Sequence, residues 1–202
     1  MSFLLSKLNE LEESEVDELY KEQLSTGEKL ELEKALGCSI VQLKSKVEGW
    51  VTFFEKGDFK IGLGIGVLVN RRKNTVKKIP YVAVGYNPKL IQTKTPAEFT
   101  GSLELLENYL QGLSENSEET LSVPLRILEE ARKATEAGKK FDWNSFPSRT
   151  YEITPDLSVR PNISDSGFSL IAYSPKEKRK YGIEILTNAA KLFEEHFKIT
   201  PS

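Results

Sequence analysis

A chain of 202 residues, 39% apolar and 29% charged, has enough material to bury the core of one ordinary domain. No apolar run approaches the roughly 20 residues of a membrane span, and residues 1–7 lack the basic start and long apolar stretch of a secretory signal. The single Cys38 excludes an internal disulfide and fits a reducing compartment, so a cytoplasmic protein is expected.

The net charge of −2 conceals a strong segregation. Residues 1–36 carry ten acids against four bases, and residues 37–94 carry three acids against eleven bases. Residues 95–137 return to nine acids against three bases, and 138–202 hold eight against ten. Such blocks either complement one another inside the fold or present a basic surface to an acidic partner or to nucleic acid.

The first 36 residues read as helices. Leu4, Leu5, Leu8 and Leu11 fall at helical spacing, followed by Val16, Leu19, Tyr20 and Leu24. Residues 25–28 are cap formers, and a short helix over 29–36 ends at Gly37. Ser39 then caps one further short helix over 40–46, which makes residues 1–46 a helical N-terminal segment ahead of an α+β domain over 47–202. Leu32 to Leu43, with Gly37 in the turn, also has the outline of a helix-turn-helix in which Ser39, Gln42, Lys44 and Lys46 face a groove. The competing reading is an ordinary helix–cap–helix connection.

From Val47 the pattern changes to strands. Residues 48–86 are expected to form a three-stranded antiparallel meander, with a tight turn at 55–58. In its middle strand Ile61, Leu63, Ile65, Val67 and Val69 alternate with Gly62, Gly64 and Gly66, an aliphatic row backed by a bare strip. Pro80 lacks an N–H and points to an edge or a bulge in the third strand. Thr95, Pro96 and Glu98 start a helix whose stripe is Phe99, Leu103, Leu106, Leu110 and Leu113. A second helix is expected over 123–137, then an ordered loop over 139–148. Strands are expected at 150–154, 157–160 and 168–173, with a turn-rich link at 162–167. Over 174–186 a hairpin with one helical turn in its loop is preferred to a helix started by Ser174 and Pro175, because Ile183 and Ile185 alternate. A helix over 187–198 closes the chain. The fold class is therefore α+β, an antiparallel sheet with helices packed on one face and helices at both ends.

The glycine strip is not a phosphate loop, since those glycines sit at a strand-to-helix turn and these lie inside a strand. Glycine within a strand marks a close approach by other atoms, and the helix over 96–112 is expected to lie flat on Gly62, Gly64 and Gly66. The hairpin tip gathers Arg71, Arg72, Lys73, Lys77 and Lys78. With Trp50, Tyr81 and Tyr86 nearby, these form the candidate surface for a partner protein with an acidic face, or alternatively for nucleic acid. A charged loop tip that is merely solvated is the competing reading.

For catalysis the inventory is thin. His196 lies beside Phe193 and Phe197 near a helix end and reads as packing, and Cys38 has no visible activator. No catalytic residue, metal site or cofactor is expected, and nothing in the sequence fixes an oligomeric state. The expected function is a non-catalytic interaction factor, with a nucleic-acid-binding regulator built on residues 37–94 as the alternative.

Overall fold

The structure, a computed structural model, describes residues 2–70, 73–87, 96–113, 130, 133–134, 136–139, 150–164 and 167–197. Arg71 and Arg72, the loop at 140–148 and most of the helix expected over 123–137 lie outside the described residues. Three helices come first, α1 (Ser2–Glu10), α2 (Glu13–Lys21) and α3 (Thr26–Leu36). They buried their leucine stripe as expected: Leu4, Leu5, Leu8, Val16, Leu19 and Tyr20 are all in the core. α3 starts where Ser25 and Glu28 exchange bonds, Glu28 N to Ser25 Oγ at 3.3 Å and Ser25 N to Glu28 Oε2 at 2.8 Å. It stops at Gly37, whose φ of +62° lets its N–H donate to Glu33 O at 2.9 Å.

Seven strands follow: β1 (Ser39–Lys44), β2 (Trp50–Lys56), β3 (Phe59–Asn70), β4 (Thr75–Tyr86), β5 (Tyr151–Thr154), β6 (Leu157–Ser164) and β7 (Gly167–Tyr173). They form one antiparallel sheet in the order β1-β2-β3-β4-β7-β6-β5. α4 (Pro96–Leu113) lies in the chain between β4 and β5, and α5 (Arg179–Phe197) follows β7 after a 3₁₀ turn at Lys176–Lys178. The α+β class, the antiparallel sheet and the helices near both ends are as expected.

One side of the sheet carries the core. Phe54, Ile61, Leu63, Val82, Val84, Leu170, Ala172 and Val159 are buried on it. α5 packs on this face against β4 and β7, α2 packs against β2 and β3, and α1 and α4 pack on α5. Where α5 crosses, Phe193 stacks on Phe168 at 4.6 Å and sits 4.8 Å from the ring of Tyr86.

Three expectations about secondary structure fail. Residues 40–46 do not form a helix, and the helix-turn-helix outline falls with it: this stretch is β1, paired with β2 from Ser39↔Glu55 to Lys44↔Trp50. Its inward residues are Ile40 and Gln42, and the polar Gln42 is held there by four bonds. It accepts from Leu24 N at 2.8 Å and donates to Thr52 Oγ1 at 2.9 Å, Glu22 O at 3.2 Å and Leu19 O at 3.3 Å. The preferred hairpin over 174–186 is also absent. α5 runs unbroken through Ile183 and Ile185, because a helix clamped between a sheet and two other helices buries more than one stripe. Finally, β6 continues through the expected link to Ser164. Pro80, by contrast, sits where its missing donor predicts. β4 pairs with β7 only over 81–86, and Pro80 O accepts from Ser174 N at 3.1 Å at the point where the two strands part.

The N-terminal helices are tied to α5 by a buried cluster. Arg179, 1% exposed, donates to Asp17 Oδ1, and its guanidinium lies 4.8 Å from the Tyr20 ring centre. Tyr20 Oη donates to Asp17 Oδ1 at 2.7 Å and Lys21 Nζ to Asp17 Oδ2 at 3.1 Å. Glu13 Oε1 accepts from Lys180 N at 2.7 Å, close to the start of α5.

Candidate functional site

β3 and β4 are twelve residues each, longer than any other strand, and pair continuously from Phe59↔Tyr86 to Asn70↔Thr75. Their neighbours do not follow them to the end. β2 pairs with β3 over 59–63, and β7 pairs with β4 over 81–86. Beyond these limits the pair projects as a two-stranded ribbon about 20 Å long, at roughly 3.3 Å per residue. The ribbon closes in a turn where Asn74 takes a φ of +48°, a left-handed position that asparagine tolerates.

The ribbon is amphiphilic. On one face Val67 lies opposite Lys78 and Val69 opposite Val76, and these valines are 43%, 56% and 67% exposed in the order 67, 69, 76. On the other face Leu68 lies opposite Lys77 and Gly66 opposite Ile79. Lys73, Lys77 and Lys78 are all exposed. The sequence around them is uniformly basic: residues 59–97 contain eight lysines and arginines and no aspartate or glutamate.

The glycine strip faces away from the helices, which corrects the expectation that the helix over 96–112 covers it. Aromatic side chains of the sheet itself take that place. A Cβ on Gly64 would meet the Tyr81 hydroxyl at 3.1 Å, one on Gly66 would meet Tyr81 Cδ1 at 3.2 Å and Tyr173 Cε1 at 3.4 Å, and one on Gly62 would meet Phe53 Cε1 at 3.3 Å. The glycines let three rings lie down on the strand. Beside those rings is a trough of about 670 Å³, floored by Gly62, Ala83 and Gly85 and walled by Phe53, Ile171 and the tyrosine pair. Its far end is polar, with Asp58, Ser169 and the ion pair of Lys60 with Glu55 at 2.7 Å. The Lys60 ammonium also lies 4.9 Å from the Phe53 ring centre.

The sequence-predicted residues are thus divided. Lys73, Lys77 and Lys78 share the ribbon, and Tyr81 lies at its base on the trough face. Trp50 is half-buried on the opposite face, in phase with Thr52 and Phe54, with Lys44 Nζ 6.0 Å from its ring. Tyr86 is not a surface residue: it alternates with Gly85 onto the core face, is 2% exposed and packs against Phe59, Phe168 and Phe193. Phe53, Ile171 and Tyr173 were missed. The signal for Tyr81 was present, since counting back from a turn at 70–75 sets it opposite Gly64. Phe53 and Tyr173 arrive from other strands and leave no such local trace.

Among the described residues no cluster of three or more His, Cys, Asp or Glu side chains is placed to hold a metal ion, and no helix is long and apolar enough to cross a membrane. Burial raises the Cys38 thiol above its ordinary value, with Glu33 adding to the effect, which keeps it protonated. His196 is exposed and rests against α4, its Nε2 3.0 Å from where a Cβ on Gly101 would stand. Comparison with protein-family models, with curated proteins and with solved structures finds no match for this chain.

The tyrosines give the protein a predictable alkaline limit. Burial raises the phenols of Tyr20, Tyr81, Tyr86 and Tyr109 above their ordinary value of 10.0, with Glu13 assisting at Tyr20 and Glu194 at Tyr86. A native phenol that holds its proton while the unfolded chain releases it stabilises the fold fully below about pH 10, and this contribution is lost as pH rises further. Arg179, lowered to about 10 from 12.5 chiefly by desolvation, acts with the opposite sign over that window, one group against four. In a phenolate absorbance titration the native phenols of Tyr20, Tyr81, Tyr86 and Tyr109 should ionise above their ordinary value of 10.0. Ionisation of these four at pH 10 with the fold intact contradicts this.

Proposed function

We propose that the protein is a non-catalytic interaction factor, an adaptor, assembly factor or inhibitor, that grips a partner protein with its projecting ribbon. The observation that carries this reading is the extension of β3 and β4 past both neighbouring strands, with exposed valines and lysines along it. An isolated two-stranded ribbon is marginal by itself, so its length is a cost that packing among the described residues does not explain. Valines beside bases match a surface that is both apolar and acidic. The raised Cys38 thiol and the absence of a second cysteine support a reducing, cytoplasmic setting.

The test is charge reversal. With the partner recovered by crosslinking from native lysate and then purified, Lys77→Glu together with Lys78→Glu should weaken its binding by roughly tenfold or more, a steering and repulsion effect that shrinks in high salt. Unchanged affinity rejects the ribbon as the contact. A second reading, binding to nucleic acid, draws on the acid-free span of residues 59–97. It requires binding to random duplex or single strands at low salt with a steep salt dependence. The exposed valines, which a phosphate backbone does not use, favour the protein partner.

A further inference from the structure

We propose that the open edge of β3 pairs with the same edge of a second copy of this chain, joining two ribbons into one four-stranded antiparallel seam. The contact uses the ribbon's edge and leaves both of its faces free, so it goes beyond the partner reading and is tested without it.

The backbone defines the edge. Pairing of β2 with β3 stops at Thr52↔Leu63, and among the described residues no strand takes its place from Gly64 to Asn70. Asn87 N donates to Asp58 O at 2.8 Å, so the even positions along this strand turn their backbone groups toward β4. Ile65, Val67 and Val69 therefore turn their N–H and C=O groups to the open side. A row of such groups is a template for another strand.

The other edges of the described sheet are guarded. On β1 the Ile40 N–H is taken by Glu33 Oε1 of α3 at 2.8 Å. β5 is only four residues long. Where β4 runs past β7 it carries Lys78 and Pro80, a charge and a missing donor, which are the usual protections of an edge. β3 has neither. Ile61 to Asn70 contains no charged residue and no proline, and Val67 and Val69 are 43% and 56% exposed. This is the composition of a strand with neighbours on both sides.

A second copy fits this edge in charge and in shape. Two identical strands pair antiparallel about a two-fold axis, and an axis near Leu68 sets Val67 opposite Val69 of the second copy. β-branched side chains then meet across the seam, and each tip stops short of the point where β2 begins its pairing at Leu63. Lys77 and Lys78 sit one strand further out, on β4. The lysine-bearing strands of the two copies are thus three spacings apart, about 14 Å, against a screening length of roughly 8 Å at physiological salt. The antiparallel order also sends the two basic tips to opposite ends. Pairing uses up both β3 edges and leaves the guarded β4 edges outermost, so the assembly closes at two chains.

The experiment is sedimentation equilibrium of the purified full-length protein over a range of concentrations, with amide hydrogen exchange alongside. The mass should rise to twice that of the chain, and the Val67 and Val69 amides should exchange more slowly at high concentration than at low. Val67→Pro removes a donor from the open edge and no bond to β4, and should raise the dissociation constant by roughly tenfold or more. Should Val67→Pro misfold, Val67→Lys places on β3 the guard that β4 already has and should act the same way. A monomeric mass at about 1 mM overturns the inference, as does open-ended assembly or a dimer that both edge variants leave intact. Lys77→Glu with Lys78→Glu should leave the dimer in place, and dissociation by this reversal instead of by the edge variants also overturns it. If the dimer behaves as expected while the reversal leaves partner binding unchanged, the seam stands and the partner reading falls. If the reversal weakens partner binding and the chain alone stays monomeric, the partner reading stands and the seam falls.

Discussion

Replacing Arg179 with alanine should destabilise the protein by about 3–5 kcal/mol, because it removes the buried cation that faces the Asp17 carboxylate together with the packing of its side chain. Asp17 is 1% exposed, and its partners besides Arg179 include the Tyr20 hydroxyl and the half-exposed Lys21 ammonium. The guanidinium also fills space against the Tyr20 ring, so alanine leaves a void as well as removing a charge. For a chain of this size the loss corresponds to a fall in melting temperature on the order of 10 °C. The pair itself is not the source of net stability. Among the described residues Nε and Nη2 of Arg179 have no hydrogen-bond partner, and desolvation already weighs on the charge. Arg179→Met combined with Asp17→Asn should therefore recover most of what Arg179→Ala loses, since neutral groups of similar volume leave no buried charge pair to desolvate. Denaturant midpoints for both singles and the double decide the matter. A loss below about 1 kcal/mol for Arg179→Ala would mean that water reaches Asp17 freely.

Phe193→Ala should cost a similar amount, about 3–5 kcal/mol, by a different mechanism. Phe193 is 1% exposed and touches rings from three elements: Phe168 of β7 stacked at 4.6 Å with 7° between planes, Tyr86 of β4 at 4.8 Å, and Phe197 of its own helix at 4.6 Å edge-on. These rings fix α5 across the junction of β4 and β7, the pairing that joins the first four described strands to the last three. Truncation opens a cavity that stiff aromatic neighbours cannot collapse into. Phe193→Leu, which keeps much of the volume, should cost under about 1.5 kcal/mol. Equal losses for the two substitutions would show that volume at this position does not matter. Near-ultraviolet circular dichroism should fall in the alanine variant more than secondary structure does.

Local periodicity made the meander, the hairpin and the two cap signals legible. The alternation of Ile61, Leu63 and Ile65 with glycines has only one regular solution, and Ser25, Glu28 and Gly37 mark the ends of α3 by chemistry that acts within four residues. β1 was misread because the residue that breaks its alternation, Gln42, faces inward. A polar side chain at a core position looks like a solvent face until its four partners on α2, the following link and β2 are known. α5 was misread over its first turns for the opposite reason. With Ile183, Ile185 and Leu186 all buried, helical periodicity is saturated and imitates a strand. The site was half legible. Base clustering at 71–78 is written in sequence, but whether the glycine strip meets a helix or aromatic rings depends on Phe53 and Tyr173, which pairing alone delivers.

The bond between Asp17 and Arg179 joins residues 162 positions apart, and β4 must wait for β7 across some eighty residues of intervening chain. The α1–α5 and β4–β7 contacts are thus long-range, whereas the β1–β4 meander and the seat of α2 on β2 and β3 join neighbours in the chain, so the first half of the sheet is expected to assemble before α1 finds its place on α5.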